Sequence, residues 1–166
     1  MPLQHSLLAE LDHEGSNTRR MLSRVPVEHF TWKPHAKSFT LGRLVTHIAE
    51  IPTWVTRIVK EDELNLATLD YKAQVMQNTS ELMKLFEENL AKAKEDIKEV
   101  PDETFMKHWT LRSNDKVYFT IPKISVMRDI VLNHIVHHRA QLSVYLRLLD
   151  IPVPAIYGPT ADEQFG

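Results

Sequence analysis

Apolar residues recur at three- and four-residue spacing through four long stretches of this chain, and proline punctuates each one. That periodicity is the signature of amphipathic helices. The first stretch runs from Leu3 to Val25, with Leu3, Leu7, Leu11, Thr18, Met21, Leu22 and Val25 on one face, and Pro26 follows it. The second runs from Leu41 to about Lys60, with Leu44, Val45, Ile48, Val55 and Ile58 on its stripe and Thr40 placed to cap it. Pro52 lies inside this stretch and predicts a kink near Ile51. The third is capped by Thr79 or Ser80 and reaches Val100, with Leu82, Leu85, Phe86, Leu90, Ala93 and Ile97 facing inward. The fourth is the longest, from Ile124 to Leu149, and Pro152 and Pro154 forbid its continuation. The period changes only between Trp109 and Ile121, where β-rich runs flank Ser113-Asn114-Asp115 and predict a short hairpin. Glu61 to Tyr71 reads as an aperiodic connection. Four helices with one hairpin inserted before the last predict an all-α four-helix bundle. The 166 residues fit one domain spanning 1–166.

Composition removes several chemistries. Cysteine is absent, so the chain carries no disulfide, no Cys-ligated zinc, no Fe–S cluster and no thiol nucleophile of its own. Any thiol must arrive with a substrate. Lys and Arg number 20 against 22 Asp and Glu, a balance without the basic field that nucleic-acid binding uses. No Gly-rich phosphate loop appears. No stretch approaches the ~20 apolar residues of a membrane span, and no signal-peptide core is visible. These readings predict a cytoplasmic protein that binds neither nucleic acid nor membrane.

The nine histidines are the unusual feature. His134 and His138 lie one turn apart on the fourth helix. At about 100° per residue their direction coincides with the mean of a stripe formed by Met127, Val131, Ile135, Leu142, Tyr145, Leu146 and Leu149. Both imidazoles are therefore expected to point into the interior. Two histidines at i and i+4 can converge on one metal ion, and the bland alternative is a pair of core histidines satisfied by neighbours. His47, at the edge of the second stripe beside Leu44, Ile51 and Trp54, offers a third ligand. His5, His29, His35 and His108 read as structural or solvated, His137 lies at the stripe's edge, and His13 is undecided. Three neutral imidazoles leave a divalent ion open positions, with Zn, Ni, Fe or Mn all compatible. His134 is followed by Ile135, so no HExxH glutamate base accompanies the pair. Arg139 and Arg147 fall off the stripe and read as surface or interface positions, with anchoring of a substrate anion as the alternative.

Two segments carry a resemblance. Asn133 to Glu163 reads NHIVHHRAQLSVYLRLLDIPVPAIYGPTADE, and Thr31 to Trp54 reads TWKPHAKSFTLGRLVTHIAEIPTW. Together they resemble the DinB family of bacterial proteins, within the DinB/YfiT-like metalloenzyme superfamily. The resemblance implies an up-down-down-up bundle with a three-histidine metal site, which by motif falls on His47, His134 and His138. His137 matches a family histidine that is not usually a ligand. Ala140 and Asp150 stand where many relatives have glycine. Relatives in the superfamily use bacillithiol, mycothiol or glutathione, so the resemblance implies a small-molecule substrate and a low-molecular-weight thiol. The function classes that follow are a metal-dependent thiol S-transferase or hydrolase, a metal- or small-ligand-binding protein without turnover, and a structural or interaction module. The resemblance also implies a homodimer, and the first and third helices carry more apolar positions than one core needs. The prolines after the fourth helix allow Ala155 to Glu163 to fold back over the bundle. The expected pocket is at the three histidines, walled by Trp54, Tyr145 or Met127, with Tyr157 at its rim.

Overall fold

The computed structural model describes residues 2–74 and 76–164. The chain is mostly helical with a small three-stranded sheet. Helix α1 spans Leu3–Leu22, α2 Leu41–Glu50, α3 Trp54–Lys60, α4 Thr79–Ile97, α5 Asp102–Met106, α6 Lys123–Val126 and α7 His134–Leu148. Helix α1 packs on α4 and α7, and α2 packs on the same two, so these elements close around one core of aliphatic side chains with Phe86, Phe105 and Trp109. Gly15 lets α1 approach α4 closely, because a Cβ there would stand 2.5 Å from Leu90 Cδ2.

The polypeptide's punctuation follows local chemistry. Thr40 caps α2 by accepting the Arg43 N–H at 3.2 Å. Pro52 sits in a 3-10 turn, Ile51–Thr53, that separates α2 from α3. Helix α4 is capped one residue earlier than expected: Asn78 Oδ1 accepts the Glu81 N–H, while Glu81 Oε2 accepts the Gln77 N–H. This reciprocal pair satisfies two free amides at once, which neither Thr79 nor Ser80 does here. At the other end of the chain's longest helical run, the Ile151 and Asp150 N–H groups return to Leu146 and Arg147 carbonyls. That closure requires Asp150 at φ 57, the left-handed region in which glycine is cheapest.

The sheet is a correction to the expected connection. Strands β2 (His108–Ser113) and β3 (Lys116–Pro122) run antiparallel around Asn114-Asp115. A third strand, β1 (Glu63–Asn65), pairs parallel with β2. Only Leu64 of β1 is buried, so three residues held mainly by backbone bonds and by the Arg112–Glu63 pair leave no periodic trace. The exposed large apolar side chains also lie elsewhere than expected. They include Val144 and Leu148 on α7 and Val117 and Tyr118 on β3, and α1 and α4 contribute none. Leu8, Met83 and Leu85 pack against the core.

A π turn, Met127–Asn133, joins α6 to α7. A turn closed by i→i+5 bonds holds about one residue more than an α turn. At a uniform 100° per residue Met127 would lie within about 20° of His134. The extra residue rotates it toward Ile135 and Leu146, and Met127 is fully buried. Met127 is thus core, not a pocket wall. The buried residues of α7 are Ile135, Arg139, Leu142, Tyr145 and Leu146, and His134 and His138 are half-buried.

Between α3 and α4, Asp96 accepts from Thr56 Oγ1 at 2.5 Å and from Lys60 at 2.7 Å, and pairs with Lys92. Burial alone would raise this carboxyl, but those donors outweigh it and hold it at about 2, against an ordinary 3.8. Its contribution to stability is therefore complete above its unfolded value and is lost as pH falls through about 2. Asp96→Ala is expected to cost about 1–3 kcal/mol in urea melts at neutral pH. The gap between variant and wild type should close as the pH falls toward 2. A gap that stays constant down to that pH would contradict the ionic origin.

Candidate metal centre

Each of the three histidines arrives by a different device. Helix α2 presents His47 from its last turn, one position outside the buried run Leu44, Val45 and Ile48. The π turn delivers His134 as the first residue of α7, and the α-helical pitch then stacks His138 above it. His134 Nε2 lies 3.3 Å from His47 Nε2 and 2.8 Å from His138 Nε2. Ring centroids are 5.0, 4.7 and 4.6 Å apart for the pairs 47/134, 47/138 and 134/138. One ligand atom from each ring falls within 4.8 Å of the others, so the three form a group that can hold a metal ion.

The other ring nitrogens face acceptors, as they must if the Nε2 lone pairs are to stay free. His138 Nδ1 lies 2.7 Å from Gln141 Oε1 and His134 Nδ1 lies 3.2 Å from the Ile130 carbonyl. The π turn helps here, since the His134 backbone N–H bonds the Val131 carbonyl and leaves the Ile130 carbonyl to the imidazole. His47 Nδ1 is 4.0 Å from Glu50 Oε2. Glu50 is itself held by Arg43 at 3.1 Å and by the Tyr71 hydroxyl at 2.9 Å.

The electrostatics favour neutral rings. Burial, then His138, His134 and Arg43, push His47 down to about 4. Burial also lowers His134 against the opposing Ile130 carbonyl, and lowers His138 against Gln141. Neutral imidazoles with directed Nε2 lone pairs are the form that binds a divalent cation, so the residues fit such an ion. No carboxylate joins the group among the described residues.

The remaining expected residues divide. Tyr145 stands on the histidine side of α7, donates to the Phe39 carbonyl at 3.2 Å and meets Trp32 edge-on at 5.5 Å. Phe39 in turn approaches the His47 ring to 6.1 Å. Trp54 opens α3 and packs against the core. Tyr157 is not at this rim. Its hydroxyl bonds Glu14 at 2.5 Å and Arg139, and its ring lies near His13, on the α1 side of α7. Arg139 is a second correction. It is 3% exposed and ion-paired with Glu14 at 2.5 Å, so it is neither a surface position nor free to anchor an anion. Arg147 is exposed and pairs with Asp162. Of the residues behind the imidazoles, Gln141 belongs to the motif run that begins at His134, whereas Glu50 carries no sequence signal beyond its i+3 spacing from His47.

The same helical frame recurs in solved structures. A DinB-like protein from Bacillus cereus superposes with a TM-score of 0.70 at 22% identity, over 92% of this chain and 97% of that one. A DinB-like protein from Bacillus subtilis gives 0.67 at 15% identity, over 97% and 99%. A mycothiol-dependent maleylpyruvate isomerase gives 0.54 at 14% identity, over 87% of this chain and 59% of that one. At these identities the likeness concerns the fold. No curated protein matches the chain in sequence. The model of the DinB family, however, aligns with residues 1–164, nearly the whole length, and the chain belongs to that family.

Proposed function

We propose that this protein is a divalent-metal-dependent enzyme that joins an external low-molecular-weight thiol to an electrophilic small molecule at His47, His134 and His138. The observation that carries the reading is the convergence of the three histidine rings, two of them held from behind by Gln141 and the Ile130 carbonyl and the third with Glu50 4.0 Å away. A divalent ion there would supply positive charge that favours a thiolate over a thiol. The chain's own residues keep the imidazoles neutral, fix their orientation and border the centre with Phe39. Since the chain has no cysteine, the sulfur must come from a co-substrate. A hydrolase would use water activated by such an ion and no thiol, and a carboxylate could only assist it. Glu50, the carboxylate that approaches His47, does so from the Nδ1 side and is already engaged by Arg43 and Tyr71. The fold shared with a mycothiol-dependent isomerase supports the thiol reading. We also read the α1, α2–α3, α4 and α6–α7 segments as an up-down-down-up four-helix bundle, supported by their pairwise packing.

The test is turnover of an electrophile panel by zinc-, nickel-, iron- and manganese-loaded protein with bacillithiol, mycothiol or glutathione. Thiol-dependent product that disappears with chelator is expected. Ester or amide hydrolysis without any thiol would favour the hydrolase. Bound metal without either activity would leave a binding protein. The assembly is proposed as a homodimer, with Val144 and Leu148 the exposed apolar residues on α7. Light scattering should give twice the chain mass of 19.3 kDa, and a mass near one chain across micromolar dilution would contradict it.

A further inference from the structure

The C-terminal segment, whose Tyr157-Gly158-Pro159 and Ala161-Asp162-Glu163 the metal centre does not use, is strapped onto α1 and α7. Arg20 donates to the Ala155 carbonyl and to Glu163, both at 2.6 Å. Glu163 also accepts the Ala155 N–H at 3.0 Å. Asp162 accepts the Val153 N–H at 2.9 Å and pairs with Arg147. Thr160 Oγ1 closes the loop on itself, donating to the Val153 carbonyl at 2.7 Å and accepting the Glu163 N–H at 3.0 Å. This braced loop stands off the helices and leaves a cavity of about 300 Å³. Met21, Val136, Ala140, Val153, Ile156 and Tyr157 form most of its wall. On α7, Val136, Ala140 and Ser143 point away from His134 and His138, about 120–180° around the helix axis.

We propose that this cavity is a second binding site, for an uncharged, largely apolar small molecule carrying one hydrogen-bonding group that meets the Tyr157 hydroxyl. The lining is mostly aliphatic, and the volume is at the small end of the range for ligand sites, roughly 300–1,000 Å³. The charge at its wall is already used. Arg139 gives both terminal nitrogens to Glu14, Thr18 and Tyr157, and Glu14 balances it. A charged ligand would lose its water with no counter-charge to receive it. The Tyr157 ring is held by Arg139, whose guanidinium lies 5.2 Å from its centroid, and Tyr157 lines the cavity with Ser143 and Thr160, whose hydroxyls already donate to the Ala140 and Val153 carbonyls. Because the strap is tied by the Arg20–Glu163 and Arg147–Asp162 pairs at its end and by hydrogen bonds of the Val153 and Ala155 backbone at its start, the site exists before the ligand arrives, which lowers the ordering cost of binding. The inference is independent of the metal centre.

The probe is N-phenyl-1-naphthylamine, an uncharged fluorescent amine, titrated into the full chain. Saturable binding of one probe per chain is expected, unchanged by chelator and by His134→Ala. Ala140→Phe and Ser143→Phe, which fill the cavity from an exposed and a half-buried position on α7, should each weaken it about tenfold, equivalent to about 1.4 kcal/mol. In methionine-methyl NMR the Met21 resonance should move with the titration. Melting curves establish which filled variant keeps the fold, and either one suffices for the comparison. Non-saturable binding, equal affinity in a folded filled variant, loss of binding in His134→Ala, or an unmoved Met21 methyl would overturn the site. Tighter binding of the anionic 8-anilinonaphthalene-1-sulfonate would overturn the ligand class.

Discussion

Replacing His134 with alanine is expected to lower the zinc affinity of the proposed centre by at least ~100-fold, about 2.7 kcal/mol. His134 is the middle ligand, 3.3 Å from His47 and 2.8 Å from His138, so its loss leaves two nitrogens and no enclosing geometry. Gln141→Ala removes only the acceptor behind His138 and should cost about 10–100-fold. His29→Ala, in a 3-10 turn away from the group, should change nothing. Isothermal titration against a competing chelator distinguishes these outcomes. Protons compete with a metal only below the pKa of the ligand they occupy. Burial lowers all three rings, His47 to about 4, so affinity should persist below an ordinary histidine's 6.5. An affinity that collapses already around 6.5 would show that the rings are not desolvated as the structure has them. Equal affinity in His134→Ala and wild type would remove the centre altogether.

Glu14→Ala is expected to destabilise the protein by about 3–5 kcal/mol, the largest stability effect foreseen for a single side chain here. Arg139 is 3% exposed, and without Glu14 its charge would stay buried with only the Glu14 carbonyl, the Thr18 hydroxyl and the Tyr157 hydroxyl as acceptors. The pair also joins α1 to α7, across which the sequence separation is 125 residues. Breaking a buried pair is costly because one uncompensated charge remains, whereas exchanging both partners for apolar groups of similar volume is often neutral. The double variant Glu14→Leu/Arg139→Met should therefore recover most of the loss. Tyr157→Phe, which deletes one hydroxyl from the same cluster, should cost about 1 kcal/mol. Urea denaturation of the wild type and these three variants compares the costs directly. A loss below about 0.5 kcal/mol in Glu14→Ala would mean that water reaches Arg139.

Helix positions were readable because burial repeats locally. Leu7, Leu11, Leu44, Ile48, Phe86, Leu90, Leu142 and Leu146 are core residues, and each belongs to a stripe visible in the chain. The Pro52 kink and the Thr40 cap were equally local, since one ring or one hydroxyl determines each. The three histidines could be chosen from spacing and from the family motif without knowing any distance. Other features depend on partners remote in sequence. Strand β1 has one buried residue and takes its conformation from β2, about 45 residues later. The π turn changes the helical phase, so a uniform pitch placed Met127 with the histidines when it belongs to the core. Arg139 looked like a surface residue because its counter-charge lies on the first helix, and Tyr157 left the histidine rim because that same pair captured its hydroxyl. The sequence by itself determined the four long apolar stripes, the Thr40 cap and which histidines cluster, all of which follow from side-chain chemistry within a few residues. Tertiary structure alone decided which charges are buried and paired and where the tail is strapped, because those energies arise only when distant segments exclude water together.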